Sequence, residues 1–105
     1  MYRPEKYKRF KSSHPDIFNI YKEMGTIVRE SGPLDEKTQN LVKLGIVVGC
    51  SSTGGVRSHT RNALDTGASP EEINHAILLA LSTIGFPNMI AAISWAGEVI
   101  EKGGE

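Results

Sequence analysis

The sequence predicts an all-α domain of about five helices, on three observations. Apolar residues recur at helical spacing along five segments, no stretch sustains the alternation of a half-buried strand, and glycine or proline punctuates the gaps. Length agrees with this, since 105 residues is one domain. The expected organisation is a basic lead-in over residues 1–12 and a single helical domain over 13–102.

The first segment places Ile17, Ile20, Tyr21, Met24, Ile27 and Val28 on one stripe of a helix. Pro15 suits its first turn, and Gly32-Pro33 stops it. The second runs from about Asp35 to Cys50, and its later half, LVKLGIVVGC, is apolar almost all round apart from Lys43. A helix that is apolar on every side must be covered on every side, which so short a chain cannot do alone. The predicted outcome is a homo-oligomer. After Ser52-Thr53-Gly54-Gly55, a third helix is expected from about Val56 to Thr66, ahead of Gly67. Ser69-Pro70-Glu71-Glu72 then reads as a capping box, and Ile73, Ala76, Ile77, Ala80, Leu81 and Ile84 follow as an amphipathic stripe. Gly85-Phe86-Pro87 resets the chain for a last helix with Met89, Ile93, Ala96 and Ile100 on one face.

Charge and composition narrow the partners. Twelve Lys and Arg balance twelve Asp and Glu, so there is no basic excess to hold a nucleic-acid backbone or an anionic bilayer. Lys43 and Ser51-Ser52-Thr53 interrupt the longest apolar run before it could span a membrane. The basic N-terminus lacks the apolar stretch of a signal peptide, so a cytoplasmic location is expected. The single cysteine, Cys50, excludes an intrachain disulfide and a multi-cysteine metal site. His59 and His75 are not spaced as helix-borne ligands, so neither a metal nor a cofactor is expected.

Chemistry concentrates in residues 49–73. Arg57, His59 and Arg61 cluster near the start of the third helix, with the two arginines on one face and the histidine on another. Gly54 and Gly55 at an open helix N-terminus would let an anion approach unpaired N–H groups. The plainer reading, which these residues alone favour, is a tight turn with solvated arginines and Asp65 as an i+4 partner. Cys50, at the end of an apolar helix, is expected to be a small buried hydrophobe rather than a nucleophile. Trp95 and Phe86 suit a core or an interface.

Taken together, HTRNAL at 59–64, GASPEEI at 67–73 and GFP at 85–87 resemble the carboxymuconolactone decarboxylase-like superfamily, which includes the AhpD-like alkylhydroperoxidases. The resemblance covers residues 34 to about 97 and implies an AhpD-like helical bundle, assembled as a trimer or hexamer. The peroxidase branch carries a C-x-x-C-x-x-x-H motif and a glutamate on the preceding helix. Anchored on His59, those positions fall on Ser52, Gly55 and about Asn40, so only the histidine matches. The decarboxylase branch often has an acidic residue four before the histidine, where this chain has Gly55. His75 stands where the family usually has glutamate, and is expected either to compensate for Asn40 or to sit on a polar face.

Three functions follow as expectations. The first is a cofactor-free lyase acting on a small carboxylate, with His59 as general acid/base and Arg57 or Arg61 as the cationic holder. The second is a thiol peroxidase or disulfide reductase with Cys50 as a lone nucleophile, and the third is a silent oligomeric member. For an active site, His59, Cys50 and His75 are the catalytic candidates, with Arg57, Arg61, Gly54 and Gly55 for substrate binding.

Overall fold

The structure is a computed structural model that describes residues 5–103, and it is all-α. The chain divides into two compact units, Met1–Leu34 and Asp35–Glu105.

In the first unit, α1 (Glu5–Ser13) and α2 (Pro15–Arg29) pack on each other. Residues expected as a loose lead-in are therefore helical from Glu5 onward. The reason is an aromatic anchor. Phe18, 4% exposed, takes the Tyr7 ring edge-on at 5.1 Å, and the Lys11 and Lys22 ammoniums lie over its face. The stripe read from the sequence forms on α2 but stays in solvent, since Ile17, Ile20, Tyr21, Met24, Ile27 and Val28 are all exposed.

The second unit contains α3 (Glu36–Gly49), α4 (Thr53–Asp65), α5 (Pro70–Leu78), the short α6 (Leu81–Ile84) and α7 (Phe86–Glu101). Its starts are capped as the sequence predicts. The Asp35 carboxylate accepts from Thr38 N–H at 2.8 Å, and Ser69 and Glu72 form the complete capping box. Glu72 also accepts from Lys37 Nζ at 3.0 Å, tying α5 to α3. Helix α4 begins earlier than expected, because the Ser52 hydroxyl accepts from Gly55 N–H at 2.9 Å and draws Thr53-Gly54-Gly55 into the first turn. The long stripe after Pro70 is divided. Near Ala80 the backbone switches to i−3 bonds, Ala80 N–H to Ile77 C=O and Thr83 N–H to Ala80 C=O, which tightens the turn and starts α6.

Leu44, Val48, Val56, Ile73 and Ile77 meet Met89, Ala92 and Ala96 in one buried cluster. Helix α3 packs against α4, α5 and α7 but is not enclosed, since Val42 and Ile46 remain exposed. No helix among the described residues is long and apolar enough to cross a membrane.

Candidate functional site

The seam between α3 and α4 is antiparallel, and its two ends fix the register. At one end Asn40 Nδ2 donates to Thr66 Oγ1 at 3.0 Å and to the Asn62 carbonyl at 3.3 Å. At the other, Val47 lies against Gly55 so closely that a Cβ there would fall 3.0 Å from Val47 and 2.7 Å from Ser52 Oγ. His59 lies between these ends on α4, facing the Lys43 stretch of α3. The imidazole is half-buried, and its pKa is depressed below the ordinary value, first by burial and then by the Lys43 charge. Both effects favour the neutral ring. Its Nδ1 is buried without a hydrogen-bond partner.

The other candidates disperse around this seam. Ser52 and Gly55, where the resemblance places the two cysteines of the peroxidase motif, are committed to capping and close packing. Gly55 N–H is spent on Ser52 Oγ, and Gly54 lies exposed in the first turn. Arg57 points to α7, where its guanidinium pairs with Glu98 at 3.0 Å. Arg61 lies half-buried on α4. Cys50 caps the C-terminal end of α3 and is exposed, not buried as its apolar neighbours suggested. It sits on the last turn, where α3 has run past the core. Among the described residues no group of three or more His, Cys, Asp or Glu is placed to hold a metal ion.

His75 is elsewhere. It is exposed on α5 and lines an open apolar groove of about 590 Å³ between α3, α5 and α6. The groove takes Thr38, Val42, Gly45, Ile46 and Gly49 from α3, whereas Asn40 and Val47 face α4. At 3.6 residues per turn these two sets lie on opposite sides of the helix. His75 is thus across α3 from Asn40, which is already bonded to Thr66. His59, Cys50 and Arg57 do not line the groove.

Lys43 was the residue sequence reasoning passed over. It entered only as an interruption of an apolar run, yet a single charge in LVKLGIVVGC is itself a signal. Glu98 carried no local signal, because its role depends on α7 lying beside α4.

Comparison with known proteins agrees with this architecture. The profile described as "Carboxymuconolactone decarboxylase family" matches residues 15–98. An uncharacterized protein of Methanocaldococcus jannaschii is 29% identical over 99 residues, covering 93% of this chain and 91% of that protein. The nitrosuccinic acid decarboxylase of Metarhizium robertsii is 31% identical over 83 residues, covering 75% of this chain and 57% of that longer protein. In fold, the chain is similar to the apo structure of a carboxymuconolactone decarboxylase family protein from Legionella pneumophila. That match has a TM-score of 0.81 at 19% identity and covers 95% of this chain and 88% of that one.

Proposed function

The chain belongs to the carboxymuconolactone decarboxylase family, and we propose that it is a cofactor-free lyase that removes CO₂ from a small activated carboxylic acid at the α3–α4 seam. One observation carries the reading. A half-buried imidazole, His59, lies near one cation, Lys43, and keeps a buried nitrogen unpartnered. The cationic holder proposed is Lys43 in place of Arg57 or Arg61: Glu98 already pairs with Arg57, and Lys43 is the cation whose charge reaches His59.

The chemistry balances with these two side chains. Lys43 attracts the substrate carboxylate as a point charge. That negative charge beside His59 raises the imidazole pKa and draws one proton from solvent onto the ring. The bond between the carboxylate and its carbon then breaks, CO₂ departs, and the electron pair passes to an electron-withdrawing substituent on that carbon. Imidazolium returns its proton to the carbanion, so each turnover consumes one proton. The substrate class this requires is a small acid with an activating group on the carbon that loses CO₂. The activity named for the Metarhizium robertsii relative supports a decarboxylation on this scaffold.

The test is CO₂ release from a panel of small activated acids, nitrosuccinic acid included. His59→Gln is expected to lower kcat by about 10²–10⁴-fold, the usual yield of a positioned acid/base. Lys43→Met should act mainly by raising KM. Because a proton is taken up, kcat/KM should fall as pH rises. Unchanged turnover in His59→Gln, or no CO₂ from any acid in the panel, would sink the reading.

A further inference from the structure

Gly55, His59 and Asn62 of α4, with Thr66 at its C-cap, recur at i, i+4, i+7 and i+11 and form one stripe of the helix. The stripe faces α3, because both of its ends make contact there, Gly55 with Val47 and Thr66 with Asn40. Gly55 is a packing contact and Thr66 is bonded, which leaves His59 and Asn62 as the polar side chains available on it. Asn62 is half-buried, and its backbone is held in place. The Asn62 carbonyl accepts from Asn40 Nδ2 at 3.3 Å and from Thr66 Oγ1 at 3.0 Å. The side chain is the reverse. Among the described residues its amide makes no hydrogen bond, and neither its nitrogen nor its oxygen is sealed from solvent. Asparagine is a poorer helix former than alanine, so this free amide costs helix stability and returns no bond to the fold.

The decarboxylation leaves one charge without a partner. Lys43 holds the carboxylate and His59 protonates the carbon, but the electron pair moves to the activating substituent. We propose that the Asn62 side-chain amide donates a hydrogen bond to an oxygen of that substituent and stabilises the charge it gains. The assignment rests on the decarboxylase reading of the seam. Residues three apart on a helix have Cβ atoms about 5–6 Å from each other, so one small acid spans both side chains, its carbon at the imidazole and its substituent at the amide. A neutral donor adds no charge to compete with Lys43 for the carboxylate. Its fixed backbone lets the amide meet the developing charge with little reorganisation. As the bond to the carboxylate breaks, the pair settles on a nitro or carbonyl oxygen and the hydrogen bond strengthens. Such a contact lowers the barrier more than it stabilises the bound acid. The substrate class narrows accordingly to acids whose activating group takes up charge on oxygen.

Asn62→Ala and Asn62→Asp chains are compared with the parent in CO₂ release. All three are also titrated calorimetrically with the nitronate of nitropropanoic acid, the carbanion that nitrosuccinic acid leaves on losing the carboxyl beside its nitro group. In both variants kcat should fall about 10²–10³-fold with KM little changed. Nitronate binding should weaken about tenfold or more. The urea midpoint of Asn62→Ala should stay at or above the parent's, which a structural role would not allow. Parent-like kcat in either variant, or a change confined to KM, overturns the assignment. A parent chain that releases no CO₂ from any acid removes the decarboxylase reading instead, and the nitronate then decides. Binding that Asn62→Ala weakens upholds a donor at Asn62, and equal binding by both chains, or none, overturns it.

Discussion

The two sides of α3 are built on opposite principles. Toward α4 the helix is pinned at both ends. Asn40 is bonded, Val47 is pressed against a glycine, and the half-buried His59 and Lys43 lie between these ends. Toward α5 and α6 it is open, with glycines where large side chains would close the gap and with Val42 and Ile46 in solvent. One helix thus carries a polar seam with a half-buried histidine and lysine on one side and an open apolar groove on the other. The difference teaches that a sizeable cavity and a reactive group need not coincide. The groove has ligand-sized volume but little polar equipment, and the seam has the perturbed histidine.

Substitutions on the two sides should separate them. The largest effect belongs to the core edge that both share. Leu44, fully buried, should lose about 2–5 kcal/mol of unfolding free energy as Leu44→Ala, measured by urea denaturation. Ile46, 60% exposed on the open side, should lose under about 0.5 kcal/mol as Ile46→Ala. Equal losses at Leu44 and Ile46 would contradict the contrast.

Next in size is Gly55→Val. Its Cβ would meet Val47 and Ser52 Oγ well inside normal contact, so overpacking should cost about 1–3 kcal/mol. An unaffected urea midpoint would mean the seam is looser than described. Smaller, and opposite in sign, is Thr60→Val. Thr60 is fully buried with its hydroxyl unpartnered, and removing that group at near-equal shape should stabilise the fold by about 1 kcal/mol. A destabilised Thr60→Val protein would show that the hydroxyl has a partner after all.

Much of this architecture was legible in the chain. The capping box, the Asp35 start and the stripe of the last helix follow from local rules, and Met89 and Ala96 are buried as that stripe requires. Local rules failed where a distant residue decides. Arg57 looked free to hold a carboxylate because Glu98, which pairs with it, lies far along the chain. Cys50 looked buried because its neighbours in sequence are apolar, whereas exposure depends on where the core stops. The α2 stripe shows the limit of periodicity, which says that a face wants cover and not which surface provides it. His59 emerged from the family motif. Lys43 beside it needed the register, which the Asn40 and Gly55 contacts supply.

The smallest expected effect tests the seam electrostatically. Burial and Lys43 hold the folded His59 pKa below its unfolded value of about 6.5. As pH falls through 6.5 the unfolded chain therefore binds this proton first. The associated stability is fully present above that pH and declines as pH drops toward the folded pKa. Asp35 and Glu72 are also depressed, by hydrogen bonds from Thr38 and Ser69 respectively, but carboxylates lose their share only near and below about pH 4. The decline between pH 7 and 5 is thus the signature of His59. Urea midpoints of the parent chain should fall across that interval, and His59→Gln should flatten the slope. Lys43→Met should flatten it in part, because its charge is the second of the two causes. Should His59→Gln keep the parent's slope, the imidazole is not held neutral in the seam, and the open groove with His75 becomes the better place to look for the chemistry.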